Sequence, residues 1–494
     1  MEAAKGGEEK ELLISEEVQL NGVDVTVSLS SQGLIRWSGG STSGCLSVEN
    51  DLLGFSRENE SLKLHGFMKH EATGLCWVSR PGHRVLKELR LKTNSEESLN
   101  NWCFCIQRCL DALDRPKRLL VLLNPFGGNK CAQKIFQEEV KPLLDIAGVS
   151  FTLQETQFQC HAKDLAKAMD LSMYDGILCI SGDGILVEVV NGLLERPDWE
   201  NAIKMPLGIV PAGTGNGMIK SLMDHANEPC IAMNATFAVI KGHKQALDVA
   251  VVTQGQVRSF SVLMLTWGLV ADIDIESEKY RWMGSMRLDF YTFVRIFRLR
   301  HYSGNVSFIP APGYEEYGEP ISIDNENGSI LQDTGISGTE EMKPKTSNCL
   351  GALDSSENYK WKSINGQFII VWLHNVPWGS QDIMPAPHAE FSDGYVDLVI
   401  VKKCPKWSLL SLLLKMKDGG HVKSRYVQYL KVKAFRLSPG GRTGSSSQGG
   451  IIDVDGEVLA MGKGSFGDND SYLMSYGPPI QVTVEKGLAT IFCP

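Results

Sequence analysis

GILCISGDGILVEVVNGLLE, residues 176–195, is the stretch that decides the fold. Ile177, Leu178, Cys179 and Ile180 make an apolar run of the length of a buried strand, and Ser181, Gly182, Asp183 and Gly184 then let the backbone turn without Cβ clashes. From Ile185 onward Val187, Val190, Leu193 and Leu194 recur at helical spacing. The turn therefore ends at a helix N-terminus, where unpaired N–H groups favour anions. An acid in such a turn reads in two ways: as a group that handles phosphate, or as a helix cap.

Two similar patterns flank it. In RPKRLLVLLNPFGGNK (115–130) a strand run from Leu119 to Leu123 meets a glycine turn, and in LGIVPAGTGNGMIKSL (207–222) three glycines and a hydroxyl stand between a strand and a helix. With SFTLQET (150–156) and a helix near His161, strands and helices alternate, which predicts a doubly wound α/β domain over 114–245. Each turn alone is an ordinary connection. Together they are more, because parallel strands bring the loops at their C-terminal ends to one edge, where ligands bind.

Residues 1–113 read as a small β-domain closed by one helix, with Trp102, Ile106, Cys109 and Leu113 on one face. That arrangement resembles a pleckstrin-homology-like module. Arg80, His83, Arg84 and Lys87 give it some positive charge, without the dense cluster that captures anionic lipid heads. From residue 246 to 494 longer alternating strands predict an antiparallel β-sandwich, interrupted over 310–359 by a polar stretch that reads as a disordered insertion.

The chain has 494 residues and a formal charge of −9, which argues against a nucleic-acid partner. Its twelve cysteines include no CxxC pair, and Cys103, Cys105 and Cys109 fit a helix better than a zinc site. The acidic N-terminus reads as neither a signal nor a transit peptide, and no apolar run approaches the roughly 20 residues of a spanning helix. The expectation is a cytoplasmic protein with reduced thiols, its membrane contact peripheral.

Three further stretches carry chemistry. ADIDIESEKYRWMGSMR (271–287) sets four acids beside Lys279, Arg281 and Arg287, suited to a cation and a phosphate, or else a solvated charged helix. IIDVDGEV (451–458) places Asp453, Asp455 and Glu457 on alternate positions at a glycine turn, with a surface hairpin as the competing reading. WSLLSLLLKM (407–416) is the most apolar helical stretch, either a core helix or the wall of a lipid tunnel or membrane-facing flap.

The set LLNPFGG, SGDGILVEVVNGLLERPDW, PAGTGNG, FSVLMLTWGLVADIDIESEKYRWMGSMR and VDGE, in this order, resembles the sphingosine kinases, specifically the plant long-chain base kinases. It runs from residue 115 to the C-terminus, apart from the insertion. GDG and GTGN mark only the wider superfamily with diacylglycerol and ceramide kinases; the ADID and ESEKYR stretch carries the narrower resemblance. It implies an ATP- and Mg2+-dependent kinase acting on the C1 hydroxyl of a sphingoid base lipid such as sphingosine or phytosphingosine. Asp183 matches the catalytic base. Asn124, Pro125, Phe126, Thr156, Glu188, Gly213, Thr214 and Gly215 match nucleotide-binding positions, as do Arg281, Arg287, Asp455, Gly456 and Glu457. Ser181, Gly182 and Gly184 match the backbone beside the reacting hydroxyl, and Asp274 matches the acid that pairs with the amine. No side-chain metal site is implied, since magnesium rides largely on the nucleotide phosphates.

The chain departs from the pattern twice. Phe126 stands where some animal members have an arginine, and Val187 where a histidine is common. The resemblance also implies peripheral association with a membrane, vacuolar or endoplasmic reticulum, and leaves a homodimer open. The alternatives are a ceramide or diacylglycerol kinase, against which the acids of 272–278 speak, and an inactive lipid-sensing scaffold.

Overall fold

Alternating apolar and polar residues between Leu12 and Lys92 fold into seven strands of one antiparallel sheet. Helix α1 (Glu96–Asp111) closes it: Ser95 caps the first turn by accepting from the Ser98 N–H, and Leu99, Trp102 and Ile106 are buried on the sheet. Cys103, Cys105 and Cys109 lie on this helix, and the ten described cysteines are all free. The computed structural model describes residues 11–40, 42–69, 84–128, 130–284, 286–321, 350–353, 359–445, 447–464 and 472–494.

Of the basic residues expected to colour the surface of this module, Arg80 and His83 lie outside the described residues. Arg84 is buried, against expectation: it donates to the carbonyls of Asn50 and Phe67 and to the carboxylate of Glu228 in the next domain.

The next elements are β1 (Arg118–Leu123), β2 (Ser150–Glu155), α2 (His161–Ala168), β3 (Gly176–Ser181), α3 (Asp183–Leu194), β4 (Leu207–Pro211), α4 (Gly217–His225) and α5 (Ala232–Lys241). The strands run parallel in the order β2-β1-β3-β4. Every residue of β3 is buried, which is why its run is continuously apolar rather than alternating.

The chain continues through β5 (Lys244–Gln254), β6 (Val257–Ser261), β7 (Met264–Gly268), α6 (Leu269–Glu276), α7 (Met286–Phe297), β8 (Tyr302–Pro310), β9 (Lys362–Phe368), β10 (Ile370–His374) and β11 (Val396–Val401). Helix α8 (Lys406–Leu414) and strands β12 (Gln428–Arg442), β13 (Ile451–Val454), β14 (Glu457–Met461) and β15 (Ile480–Phe492) complete it. These strands pair antiparallel around a core that includes Trp267, Tyr302, Phe308, Phe368 and Phe435. The last strand joins the two regions: β15 pairs antiparallel with β5 and β12 and parallel with β4 through Leu207 and Ile491. Within the polar stretch 310–359, Pro310 ends β8 and Glu319–Pro320 pairs with β9; residues 322–349 and 354–358 lie outside the described residues.

The charged stretch 271–287 is not a solvated face. Asp272 and Glu276 are buried and bound to Arg295, Arg300, Tyr302 and Tyr291, so two of its four acids are committed to a structural network. α8 divides the two readings given to its sequence, with Leu409 and Leu412 buried and Trp407 and Leu414 exposed.

Candidate active site

The ends of β1, β3 and β4 bring three glycine turns onto one another. A Cβ on Gly213 would stand 2.3 Å from the Cα of Gly182, so the turns after β3 and β4 approach to a distance that only glycine permits. Gly128, in the turn after β1, faces the backbone of Ala212 and Gly213 from the other side. Asn124 folds its own turn by accepting from the N–H groups of Phe126 and Gly127, and Asn216 does the same for its turn through both polar atoms of its amide and Gly213. Phe126 and Thr214 are exposed and Pro125 partly so, while Thr156, at the end of β2, is buried and bound to the Leu123 carbonyl.

Asp183 lies at the centre of this edge, 8 % exposed, in the first turn of α3. Its carboxylate accepts from the N–H groups of Gly217 at 2.7 Å and Met218 at 3.0 Å. It is therefore a helix cap as well, of the neighbouring α4 rather than of its own helix. Burial pushes its pKa up, and the two backbone donors oppose that. A carboxylate offers about four lone-pair directions, so the two N–H groups leave acceptor capacity. Ser181 is buried beside it, Gly182 half-buried and Gly184 exposed.

Glu188, one helix face further along, spends both oxygens on the N–H groups of Cys160 and Ala162 and so caps α2. Its pKa is raised, chiefly by burial. Asp455 and Gly456 form the two-residue turn between β13 and β14, with φ of 53° and 88°, the pattern of a type I′ hairpin. The side chain of Asp455 points inward, accepting from Ser261 Oγ and the N–H groups of Val262, Leu263 and Met264. Burial still raises its pKa to about 6. The hairpin reading and the inward acid hold together. Glu457 reaches the α/β region, accepting from the Gln159 amide in the loop after β2.

Asp274, on α6, is partly exposed and hydrogen-bonded to the carboxyl of Asp453, while Arg287 is paired with Glu278. The described partners of Asp274 and Arg287 thus lie within the second domain. Arg281 follows α6, and its side chain lies outside the described residues. Among the described residues no group of three His, Cys, Asp or Glu side chains is placed to hold a metal ion.

One contributor escapes the sequence reading. The loop 375–389 after β10 crosses to the α/β side: Gln381 donates to the Gly215 carbonyl, the Trp378 N–H to Ser221 Oγ, and its indole to Asp224. A Pro-Trp-Gly-Ser run between two strands was its only signal. Asn216 was legible within GTGN but is singled out only by its hydrogen bonds.

Residues 118–252 match the diacylglycerol kinase catalytic domain, and residues 361–466 match the YegS C-terminal NAD kinase beta sandwich-like domain. The chain is 49 % identical over 479 residues to sphingosine kinase 2 of Arabidopsis thaliana, covering 97 % of this chain and 96 % of that protein. It is 48 % identical over 484 residues to sphingosine kinase 1 of the same plant, covering 98 % and 96 %. With human sphingosine kinase 1 it shares 35 % over 362 residues, 70 % of this chain and 87 % of that one. Three convergent glycine turns around one buried acid fit the catalytic domain that the family model matches, and relatives that match nearly end to end narrow the assignment: the chain belongs to the sphingosine kinase family.

Proposed function

We propose that the chain transfers the γ-phosphoryl group of ATP to the C1 hydroxyl of a sphingoid base. The observation that carries this is Asp183: a buried carboxyl with spare acceptor capacity, its pKa raised toward the working range of a base, where three glycine turns meet. Asp183 takes the hydroxyl proton as the oxygen bonds to the γ-phosphorus and the bridging bond to ADP breaks. The turns of Asn124–Phe126 and Gly213–Gly215 present backbone to the phosphates, Ser181, Gly182 and Gly184 flank the reacting hydroxyl, and Thr156 and Glu188 support the loop after β2. Arg281, Arg287 and the Asp455–Glu457 hairpin would close the nucleotide from the second domain, and Asp274 would meet the amine.

Glu188 and Asp455 already hold backbone donors, so magnesium is expected on the nucleotide phosphates, where it neutralises developing charge. A membrane lipid as substrate calls for a membrane-facing surface. Met286, Phe290, Phe293 and Phe297 stand exposed at helical spacing along α7, with Trp282 before them and Trp407 and Leu414 exposed on α8. No helix among the described residues is long and apolar enough to cross a membrane, so the proposed contact is peripheral.

The test is to incubate purified protein with labelled ATP, magnesium and sphingosine, phytosphingosine, ceramide or diacylglycerol in separate reactions. Labelling of the two sphingoid bases is expected, and labelling of ceramide or diacylglycerol alone would refute the reading. Asp183→Asn, which keeps one acceptor for α4, is expected to lower turnover by at least about 100-fold with the thermal melting point little changed; full activity would remove the assigned base.

A further inference from the structure

Asp453, on β13, is completely buried, and neither carboxyl oxygen meets an N–H or hydroxyl donor among the described residues. Directly opposite it on β7 stands Thr266, equally buried, whose hydroxyl is also without a hydrogen-bond partner among the described residues. Facing residues of adjacent antiparallel strands project to the same side of the sheet, so the acid and the hydroxyl share one spot. Helix α6 packs across these two strands and supplies Asp274, whose carboxyl hydrogen-bonds that of Asp453. Buried polar groups left unsatisfied are costly, and where they gather a missing partner is indicated.

We propose that Asp453 is a second acid of the head-group site, so that the ammonium of a sphingoid base is held between Asp274 and Asp453 with the Thr266 hydroxyl beside them. This rests on the sphingoid-base reading and extends it to a residue that the family resemblance leaves without a role. An ammonium carries three N–H donors, and two carboxyls with a hydroxyl match that number in a site closed at Asp453 and Thr266 and partly open at Asp274. Two carboxyls in contact cannot both be ionised without a cation, so in the free protein they share one proton. Its neighbours keep it there: Asp455 and Glu457 on the same hairpin and Glu278 after α6 are acids, and the opposing cation, Arg287 on α7, is shared with Glu278. When the ammonium enters, that proton leaves to solvent, and two carboxylates then face the ammonium and Arg287. Ceramide and diacylglycerol have no ammonium to displace the proton, which sharpens discrimination against them.

The measurement is titration calorimetry of the full-length wild-type chain with sphingosine in non-ionic detergent micelles at pH 7, run in two buffers of different ionisation heat. Release of about one proton per base bound is expected. Asp453→Asn keeps the shape and one donor of a protonated carboxyl. A purely structural Asp453 would therefore leave this variant with wild-type binding. The proposal instead expects the variant to release no proton and to raise KM for sphingosine tenfold or more, with KM for ATP unchanged. Absence of proton release by the wild type, or an unchanged sphingosine KM in Asp453→Asn, overturns it. If the wild type phosphorylates no sphingoid base at all, the parent reading fails as well, and the panel assay separates that case from a failure of Asp453 alone.

Discussion

Asp455 shows how one side chain can serve a turn, a core and a titration at once. Its backbone sits in the left-handed region that the hairpin requires, and its carboxyl gathers four donors from the turn between β6 and β7. Burial nevertheless outweighs those donors, and the group titrates near 6 against an ordinary value of 3.8. An acid whose pKa is higher folded than unfolded favours folding most when protonated. Its contribution is therefore complete below about pH 4 and lost as pH rises through about 6. Asp248 and Asp397, also raised to about 6, act with the same sign, so the wild-type profile alone does not isolate Asp455. Comparison with Asp455→Asn does. The stability deficit of that variant in urea titrations should be largest near pH 4 and shrink by about 2 kcal/mol by pH 7; a deficit independent of pH would assign the raised value elsewhere. VDGE announces a hairpin in sequence, since Asp-Gly is a strong turn signal. The inward direction of the acid was not legible, because its four donors lie more than 190 residues earlier in the chain.

At the scale of elements, the strand, turn and helix around Asp183 were legible because a continuous apolar run and a 3.6-residue period are local signals. What those elements hold was not. Asp183 and Glu188 both sit on α3, and both cap a different helix, α4 and α2. A sequence pattern assigns a capping acid to its own helix; packing brings a foreign N-terminus closer. The same limit applies to 271–287, where the charges look solvent-borne until Arg295, Arg300 and Tyr302 arrive from beyond α6. α7 presents the opposite case. Its inward residues Tyr291, Arg295 and Ile296 are buried, while Phe290, Phe293 and Phe297 face outward, an arrangement that costs solubility unless the face is used. Phe290→Glu with Phe293→Glu should lose most of its co-sedimentation with anionic phospholipid vesicles and keep its activity on micellar substrate. Retained sedimentation would move membrane contact to another surface.

At the scale of the whole molecule, the N-terminal sheet is separate in its strand pairing but not in its side-chain contacts. Leu53 and Phe67 leave its own core and join that of the α/β region, Phe67 meeting Phe237 of α5 edge to face at 5.3 Å. Arg84 stands at this seam with its side chain 3 % exposed. It binds Glu228, itself 6 % exposed, and lies 5.0 Å from the Phe237 ring. Arg115 ties the same seam by donating to the carbonyls of Val48, Leu52 and Leu53, and burial among neutral acceptors lowers its pKa to about 10. Among the described residues Glu228 keeps Lys69 as its ion-pair partner, an exposed lysine at 3.3 Å, once Arg84 is removed. Breaking a buried pair from one side costs about 3–5 kcal/mol, more than most single contacts at a domain seam contribute. Arg84→Ala should therefore uncouple the module, so that a single calorimetric transition in the wild type becomes two, the earlier one belonging to the N-terminal sheet. Arg84→Met with Glu228→Met removes both charges and fills the space, and it should recover much of the lost stability. If Arg84→Ala melts in one transition at the wild-type temperature, the seam is held by the apolar contacts of Leu53 and Phe67, and the buried ion pair sets only their register.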